Sequence, residues 1–287
     1  GGCVAATSFQ AQKALDVLSS KASWKTAPHP SSKDLFTYHK QKAATDESGP
    51  RKPRVRSKGS LQQGLAAAKQ TVRASYEIAY IQHAPMEPRA AVAEWQEGQL
   101  TVWTGSQQPQ RVRHDLADAF HMSEDRVRVI VPDTGGGFGG KHTGEVAVEA
   151  ARLSKGAGRP VSLRWTREEE FTWAYFRPAG LIEAQAGLAA DGRLLAWDFT
   201  NFNSGASALE SPYEIAHTHE RFCYSEPPLR EGSYRALAAT ANTFARESFM
   251  DELATAARAH ALEYRLAHLK NERLRAVLQA AAERFDW

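Results

Sequence analysis

A glycine-rich stretch, Val127–Lys141 (VRVIVPDTGGGFGGK), constrains the fold of this chain more than any other segment. Its β-branched start predicts a strand that ends at Pro132, and an Ala- and Val-rich segment with helical spacing follows at 144–155. The five glycines around Phe138 permit positive φ and let a ligand approach main-chain N–H groups, while the dipole of the following helix favours negative charge. The stretch therefore predicts strand, tight loop and helix, with a phosphate-bearing ligand at the glycine loop, Gly135–Lys141.

The glycine loop matches two nucleotide-binding motifs incompletely. As the phosphate-binding loop G-x-x-x-x-G-K-[ST], it has the lysine, but His142 stands where a hydroxyl must reach magnesium. As the dinucleotide motif G-x-G-x-x-G, it lacks the acidic residue that the next strand, Pro160–Trp165, should supply to a ribose. A nucleotide such as ATP or NADP at this loop stays open as an alternative, and so does a ligand-free scaffold.

Further motifs, in order along the chain, resemble those of one family. They are H-A-P-M-E-P at His83–Pro88, W-T-G-S-Q-Q at Trp103–Gln108, G-S-Y-R-A at Gly232–Ala236 and T-F-A-R-E-S-F-M-D-E-L-A at Thr243–Ala254. With the glycine loop, they resemble the molybdopterin-binding large subunit of the xanthine oxidase and aldehyde oxidase family. More narrowly, they resemble the isoquinoline 1-oxidoreductase beta-subunit type, which includes bacterial aldehyde dehydrogenases. The resemblance extends from about Tyr76 to Leu269, and Val4–Trp24 is similar to the helical start of that subunit's molybdenum domain.

The resemblance implies an oxidoreductase that hydroxylates aldehydes or N-heteroaromatic compounds. It implies a molybdenum–molybdopterin cofactor, in the cytosine dinucleotide form, and electron transfer to an iron–sulfur small subunit. By motif position, the cofactor-binding residues are Gln107, Gly136, Gly137, Phe138, Gly139 and Arg235. In the family, the glutamine faces the molybdenum oxo group, the loop lies against the cofactor, and the arginine contacts the pterin from the opposite side.

Each assignment also has a simpler structural interpretation. Gln107 is then an ordinary turn residue, and Phe138 is an apolar plug beneath the loop. Arg235 is then one partner of a surface ion pair with Glu231 or Glu247.

The chain departs from the family where activity is concerned. The family's general base is a glutamate in a C-terminal G-x-G-E motif, which does not occur in this sequence. Ala241 stands where a glutamine is common after the pterin-contacting arginine. We therefore expect residues 1–287 to be the first part of a molybdopterin-binding domain, completed by the remaining part of the large subunit. We expect no catalytic residue in this chain and no activity of the chain alone; whether it retains the cofactor is left open.

Composition limits the other classes of function. With 42% apolar residues among 287, the chain can build a sizeable core. Its formal charge is +3, with basic and acidic residues intermixed along most of the chain, which argues against nucleic acid as a partner. No apolar run has the length of a membrane span. Because the sequence does not begin with Met, we expect an internal segment, and either a periplasmic or a cytoplasmic location fits.

The metal-binding residue types are too sparse to predict a metal held by protein ligands. The two cysteines, Cys3 and Cys223, cannot build an iron–sulfur or zinc site alone, so any electron-carrying cluster is expected on another chain. The isolated pairs His217/His219 and His83/Glu87 are expected to be structural.

Periodicity predicts an α+β fold of mixed, layered sheets with packed helices. Strands are predicted at 71–82, 90–95, 99–104, 127–131, 161–165, 181–186 and 194–202. Helices are predicted at 8–21, capped by Ser8 and packed on a sheet, at 112–122 and 144–155, from Thr166, and three times in the helical end 240–287. Residues 33–60, with eight Lys/Arg against three acids and two prolines, predict an exposed basic loop.

Overall fold

The computed structural model describes residues 2–45 and 51–287. The described chain divides into two compact units. The first unit comprises residues 1–29, 82–177 and 229–235, and the second comprises residues 30–81, 178–228 and 236–287. The residues proposed for cofactor binding all fall in the first unit.

Helices and strands alternate through most of the chain. In chain order they are α1 (Ser8–Lys21), α2 (Leu35–Gln41), β1 (Arg54–Lys58), α3 (Leu61–Ala66), β2 (Gln70–Ile78), β3 (Ala90–Gln96), β4 (Gln99–Thr104), α4 (Pro109–Phe120), β5 (Val127–Ile130), α5 (Glu145–Ala157), β6 (Val161–Arg164), α6 (Arg167–Trp173), β7 (Gly180–Leu188), β8 (Leu194–Phe202), β9 (His217–Cys223), α7 (Ala239–Ala256), α8 (Ala261–His268) and α9 (Glu272–Phe285). Within the described ranges, no helix combines the length and the apolar character that crossing a membrane requires.

The first unit is built on a four-stranded sheet with the order β5-β4-β3-β6. β3 is antiparallel to β4 and β6, and β4 is parallel to β5. Helix α4 connects the two parallel strands, as the crossover between parallel neighbours requires. Leu116 of α4 and Ala147 of α5 are fully buried with Val102 of β4 in the core of this unit. Since β4 and β5 are parallel, the segments that follow them leave from the same edge of the sheet.

The second unit is built on a five-stranded sheet with the order β1-β9-β8-β7-β2. Its pairs are antiparallel except for β8 and β9. Trp197 and Phe199 of β8 pack with Phe249 of α7 in the largest apolar cluster of this unit. Two mixed sheets with packed helices confirm the predicted α+β fold class.

Most predicted elements are present, within a few residues of their expected ends. The hairpin between β3 and β4 forms because Glu97 and Gly98 both take positive φ, 50° and 74°, as this tight turn requires. Helix α6 is capped by Thr166, whose side chain and that of Glu169 form a reciprocal capping box. Strand β9 was missed, because its sequence HTHERFC shows no apolar alternation and it is defined by pairing with β8 and β1.

The segment 33–60 is not one continuous exposed loop. It contains α2, of which Leu35 and His39 are buried, and β1, which pairs with β9 along its whole length. The expectation of a loop fails there, because charged side chains can line an exposed edge strand whose residues all pair with one neighbouring strand. Residues 46–50 of the expected loop lie outside the described residues.

The prediction for α1 is confirmed in extent and wrong in packing. The helix runs from Ser8 to Lys21, but its N-cap is Thr7, whose hydroxyl accepts a hydrogen bond from the N–H of Gln10 at 3.3 Å. No residue of the helix is buried, and Phe9 is 67% exposed. The apolar spacing therefore marks an amphipathic helix that does not pack on a sheet in this structure.

Candidate functional site

Gln107 and the glycine loop meet at one edge of the sheet of the first unit. Gln107 follows β4 and the loop follows β5, so the parallel pair delivers both to the same edge. The N–H of Gln107 donates to the carbonyl of Lys141 at 2.8 Å. Its side-chain oxygen accepts hydrogen bonds from the N–H groups of Gly139 at 3.0 Å and Lys141 at 3.3 Å. The structure therefore brings together two of the segments that the motifs assign to cofactor binding.

These contacts fix the direction of the Gln107 carboxamide. Only its oxygen can accept the two main-chain hydrogen bonds, so its NH₂ group must point away from the loop. Gln107 is exposed, and its NH₂ group has no hydrogen-bond partner among the described residues. An ordinary turn residue does not bridge to a distant loop in this way. The side chain therefore presents two outward N–H donors.

Two consecutive amides of the glycine loop are also left without a partner. The other loop amides donate within the chain: Gly135 to Glu87, Gly136 to Thr134, Gly139 and Lys141 to Gln107, and Gly140 to Gly137. The N–H groups of Gly137 and Phe138 have no acceptor in the part of the chain that the structure describes. Successive free N–H groups in a turn are a favourable arrangement for binding an anion or another acceptor.

A side chain at Gly137 would displace the carboxamide of Gln107. A Cβ at Gly137 would lie 2.4 Å from Oε1 of Gln107, far inside van der Waals contact. The missing side chain lets the carboxamide reach the amides further along the loop. The identity of this residue therefore determines how Gln107 is held.

Phe138 is not a core plug. It takes φ of 55° and the residue is 44% exposed. The ring lies over Gly136, where a Cβ would be 3.1 Å from its Cε2 atom.

Three side chains outside the predicted cofactor-binding set, Tyr175, Arg89 and His83, support the loop. Tyr175 donates its hydroxyl hydrogen to the carbonyl of Gly139 and accepts a hydrogen bond from the N–H of His142 at 3.3 Å. Burial raises the pKa of the Tyr175 hydroxyl, which keeps it protonated as a donor. The buried guanidinium of Arg89 donates to the carbonyl of Gly140. The carbonyl groups of Gly139 and Gly140 are therefore satisfied by the protein.

The third supporting residue, His83, joins the loop to the segment before Arg235. Its Nε2 lies 2.5 Å from the carbonyl oxygen of Ser233, and a Cβ at Gly140 would lie 2.7 Å from its ring. Burial lowers the pKa of the His83 imidazole, so the ring is neutral and donates from Nε2. His83 and the loop therefore position the backbone that leads to Arg235.

Arg235 lies next to the loop through its backbone. Its N–H donates to the carbonyl of Phe138 at 2.9 Å, while its side chain is exposed and forms no ion pair among the described residues. Glu247, one expected partner, instead binds Arg246 at 2.9 Å and Arg265 at 3.0 Å. The interpretation of Arg235 as half of an ion pair with Glu247 is therefore wrong, and its guanidinium is available to a ligand.

The geometry gives no support to the phosphate-binding-loop alternative. The side chain of Lys141 is only 2% exposed, and its Nζ lies 2.9 Å from Oε1 of Glu87 instead of facing a ligand. The N–H of Gly144, at the start of α5, already donates to Oδ2 of Asp115 at 3.2 Å. A bound nucleotide would find neither the lysine nor this helix amide free.

The histidine pairs have structural roles. Nδ1 of His217 accepts a hydrogen bond from the N–H of Ser60 at 2.9 Å, and Nδ1 of His219 lies 2.9 Å from the hydroxyl of Ser57. Across residues 2–45 and 51–287, no group of three or more His, Cys, Asp or Glu side chains is arranged to hold a metal ion.

Comparison with known proteins identifies the family. Residues 45–269 match the molybdopterin cofactor-binding domain, and the chain belongs to this family. It is 33% identical to one of the subunits of nicotinate dehydrogenase from Pseudomonas putida, in an alignment that covers 100% of this chain and 26% of that protein. It is 28% identical to the beta subunit of isoquinoline 1-oxidoreductase from Brevundimonas diminuta, over 72% of this chain and 29% of that protein.

Solved structures share the fold. Quinoline 2-oxidoreductase from Pseudomonas putida 86 aligns with a TM-score of 0.62 and 27% identity over 76% of this chain and 30% of that one. Aldehyde oxidoreductase from Desulfovibrio gigas aligns with a TM-score of 0.68 and 22% identity over 83% of this chain and 29% of that one, a likeness of fold alone. The chain thus spans between about a quarter and a third of the length of these relatives.

Proposed function

We propose that this chain is part of the large subunit of a molybdenum hydroxylase and binds part of a molybdenum–molybdopterin cofactor through Gln107 and the glycine loop. The observation that carries the proposal is the set of unpaired donors: the NH₂ of Gln107 and the N–H groups of Gly137 and Phe138. Such a cofactor presents oxo, sulfur and phosphate acceptors, which these donors suit. When bound, it would supply the redox chemistry.

The residues at the site orient and stabilise the cofactor through hydrogen bonds. We assign to the Gln107 carboxamide a hydrogen bond to the oxo oxygen, since it donates without adding charge. Gly136, Gly137, Phe138 and Gly139 form the wall on which the cofactor rests, and the Gly137 and Phe138 amides donate to it. The free guanidinium of Arg235 suits a pyrophosphate, which supports a dinucleotide form of the cofactor. The cytosine base of that form is what the family resemblance implies.

We further propose the substrate class and the partners of the whole protein. Relatives are named for nicotinate, isoquinoline and quinoline, all N-heteroaromatic compounds, and for aldehydes. Their names also describe them as subunits. These names support oxidation of N-heteroaromatics or aldehydes, with an iron–sulfur small subunit and the remaining part of the large subunit as partners. Without a G-x-G-E motif, residues 1–287, as the first part of the cofactor domain, lack the general base, and we expect the chain alone to be inactive.

The test is the metal and nucleotide content of the purified chain, expressed in a host that makes the cofactor. We expect near-stoichiometric molybdenum by mass spectrometry and a cytidine nucleotide released by acid. An adenine nucleotide without molybdenum would replace this proposal with the nucleotide-binding alternative. A stable, cooperatively unfolding chain that holds neither would leave a ligand-free scaffold.

A matched pair of glycine variants localises the binding. Gly137→Ala places a methyl group against Oε1 of Gln107, whereas a Cβ at Gly156, within α5, meets nothing within 4 Å. We expect Gly137→Ala to lose the molybdenum and Gly156→Ala to keep it. Equal metal content in the two variants would rule out the glycine loop as the binding site.

A further inference from the structure

One carboxylate joins the two ends of the glycine loop. Oε2 of Glu87 accepts a hydrogen bond from the N–H of Gly135, the first loop residue, at 2.7 Å. Oε1 of Glu87 lies 2.9 Å from Nζ of Lys141, the last loop residue. The main-chain N–H of Glu87 also donates to the carbonyl of Gly135 at 3.4 Å. Glu87 thus holds both ends of the segment that carries the free Gly137 and Phe138 amides.

The pair between Glu87 and Lys141 is asymmetric in burial. The lysine side chain is 2% exposed, whereas the glutamate side chain is 38% exposed. A buried ammonium without a counter-charge is strongly unfavourable, so Lys141 depends on Glu87. Burial by itself would raise the pKa of Glu87, but the hydrogen bonds from Lys141 and Gly135 and the charge of Lys141 outweigh it and lower the pKa.

Glu87 is closely packed, and both of its carboxylate oxygens face hydrogen-bond donors. A Cβ at Gly135 would lie 2.7 Å from Cβ of Glu87, and a Cβ at Gly105 would lie 3.2 Å from its Oε1 atom. Both partners, the ammonium and the N–H, are donors. A glutamine here would be the same size, but its NH₂ group would face one of those two donors.

Lys141, which Glu87 holds in place, is hydrogen-bonded to Gln107 through its backbone. Its carbonyl accepts from the N–H of Gln107 and its N–H donates to the side-chain oxygen of Gln107. Glu87 therefore binds the side chain of Lys141, and the backbone of Lys141 in turn binds Gln107.

We infer that Glu87 is a positioning residue: through Lys141 it sets the direction of the Gln107 carboxamide, and through both loop ends it keeps the Gly137 and Phe138 amides free. The effect of Glu87 on cofactor retention rests on the proposed cofactor binding. The structural part, the fastening of the loop, holds for the chain without any ligand and can be measured separately.

The experiment compares amide hydrogen exchange across residues 133–142 in the purified wild-type chain and in Glu87→Gln. Loss of hydrogen bonds to a charged group should speed exchange of the Gly135, Gly139 and Lys141 amides about tenfold or more. The control is Glu124→Gln, which removes a carboxylate that binds Arg113 and His114 at the surface of the same unit. We expect the control to leave exchange in the loop unchanged.

A double variant separates positioning from simple stability. In Glu87→Gln with Lys141→Met the buried charge is gone, so we expect the melting temperature to recover. No side chain then joins the loop ends, so exchange at Gly139 and Lys141 should stay fast and molybdenum retention should stay low. If the double variant restores both the melting temperature and slow exchange, Glu87 only neutralises a buried charge and the inference is wrong.

The two proposals fail in different ways. Wild-type exchange rates in Glu87→Gln overturn the positioning role, whatever the metal content. A wild-type chain without molybdenum overturns the proposed function, while faster loop exchange in Glu87→Gln still establishes that Glu87 fastens the loop. Because the double variant removes the buried charge, it keeps the test available even if Glu87→Gln alone does not fold.

Discussion

The guanidinium of Arg89 and the carboxylate of Glu170 form an almost completely buried ion pair beneath the glycine loop. Nη1 of Arg89 lies 2.7 Å from Oε1 of Glu170, and the N–H of Arg89 donates to the same oxygen at 3.1 Å. The two side chains are 3% and 2% exposed. Since the same guanidinium donates to the carbonyl of Gly140, this pair connects the start of β3, helix α6 and the loop.

Breaking this pair from one side should be strongly destabilising. Glu170→Gln leaves a buried guanidinium without a counter-charge, and we expect a loss of about 3–5 kcal/mol in the free energy of unfolding. Denaturant titration followed by circular dichroism measures it. Glu124→Gln, at an exposed and solvent-screened pair, should change the free energy of unfolding far less. Equal effects of the two substitutions would contradict the burial-based account.

The fastening of the loop by Glu87 should depend on pH. The pKa of Glu87 is lowered from its ordinary value of 4.5 in the folded chain, so the folded state favours the ionised form. Its stabilising contribution is therefore complete above that ordinary value and is lost as the pH falls through the lower folded pKa. We expect loop exchange, corrected for intrinsic rates, to rise on acidification below about pH 4.5 in the wild type and to stay flat in Glu87→Gln. A flat wild-type profile would show that the carboxylate does not hold the loop.

Local signals in the sequence were sufficient for much of the fold. The β3–β4 hairpin was predictable because alternating residues flank Glu97 and Gly98, and α6 because Thr166 and Glu169 lie at capping-box spacing. Strands β1 and β9 were not predictable from the sequence, since charged side chains line both strands and only their long-range pairing defines them. Pairing of distant segments leaves no periodic trace in either strand.

The same distinction applies to the site. Gln107 and the glycine loop were found through motifs that follow consecutive strands. Neither Tyr175 nor Glu170 was predicted as part of the site, because their partners lie far away in the sequence. A signal was present for Glu87: a lysine at the end of a glycine loop needs a carboxylate if it is buried, and Glu87 lies in the H-A-P-M-E-P motif.

Two substitutions of Gln107 should separate holding the loop from binding the ligand. Gln107→Glu keeps an oxygen for the Gly139 and Lys141 amides but replaces the outward NH₂ group by a second oxygen. We expect loop exchange like that of the wild type, with molybdenum retention about tenfold or more weaker. Gln107→Leu should lose both the slow exchange of the loop amides and the molybdenum. Full molybdenum content in Gln107→Glu would exclude the carboxamide as a ligand donor.

The residues after Arg235 should tolerate glycine unusually well. Ala236 and Leu237 both take positive φ, 65° and 53°, which costs an L-residue about 1 kcal/mol each. Ala236→Gly relieves that cost but adds freedom to the unfolded chain, so we expect a gain of about 0.5 kcal/mol. Ala280→Gly, at an exposed position inside α9, should instead lose about 1 kcal/mol. A lower melting temperature for both variants would show that the left-handed backbone at Ala236 carries no strain.

Glu220 should make the chain less stable as the pH rises. Its side chain accepts a hydrogen bond from the N–H of Ser211 at 2.7 Å, and the residue is 3% exposed. Burial raises the pKa of this carboxyl from 4.5 to about 7 against the opposing effect of that hydrogen bond. Between these two values the folded chain binds a proton that the unfolded chain does not, so the free energy of unfolding falls with rising pH and levels off above about pH 7.

Glu220→Gln removes this titration and keeps an oxygen for the Ser211 amide. We expect the variant to be more stable than the wild type by about 3 kcal/mol at pH 8 and similar to it at pH 4.5. Urea titrations at pH 4.5, 6, 7 and 8 measure the difference. Glu214→Gln is the control of opposite sign, since hydrogen bonds from Lys58 and Lys270 lower the pKa of that exposed carboxyl and its ionised form stabilises the fold. Parallel pH profiles for wild type and Glu220→Gln would mean that Glu220 is ionised in the folded chain.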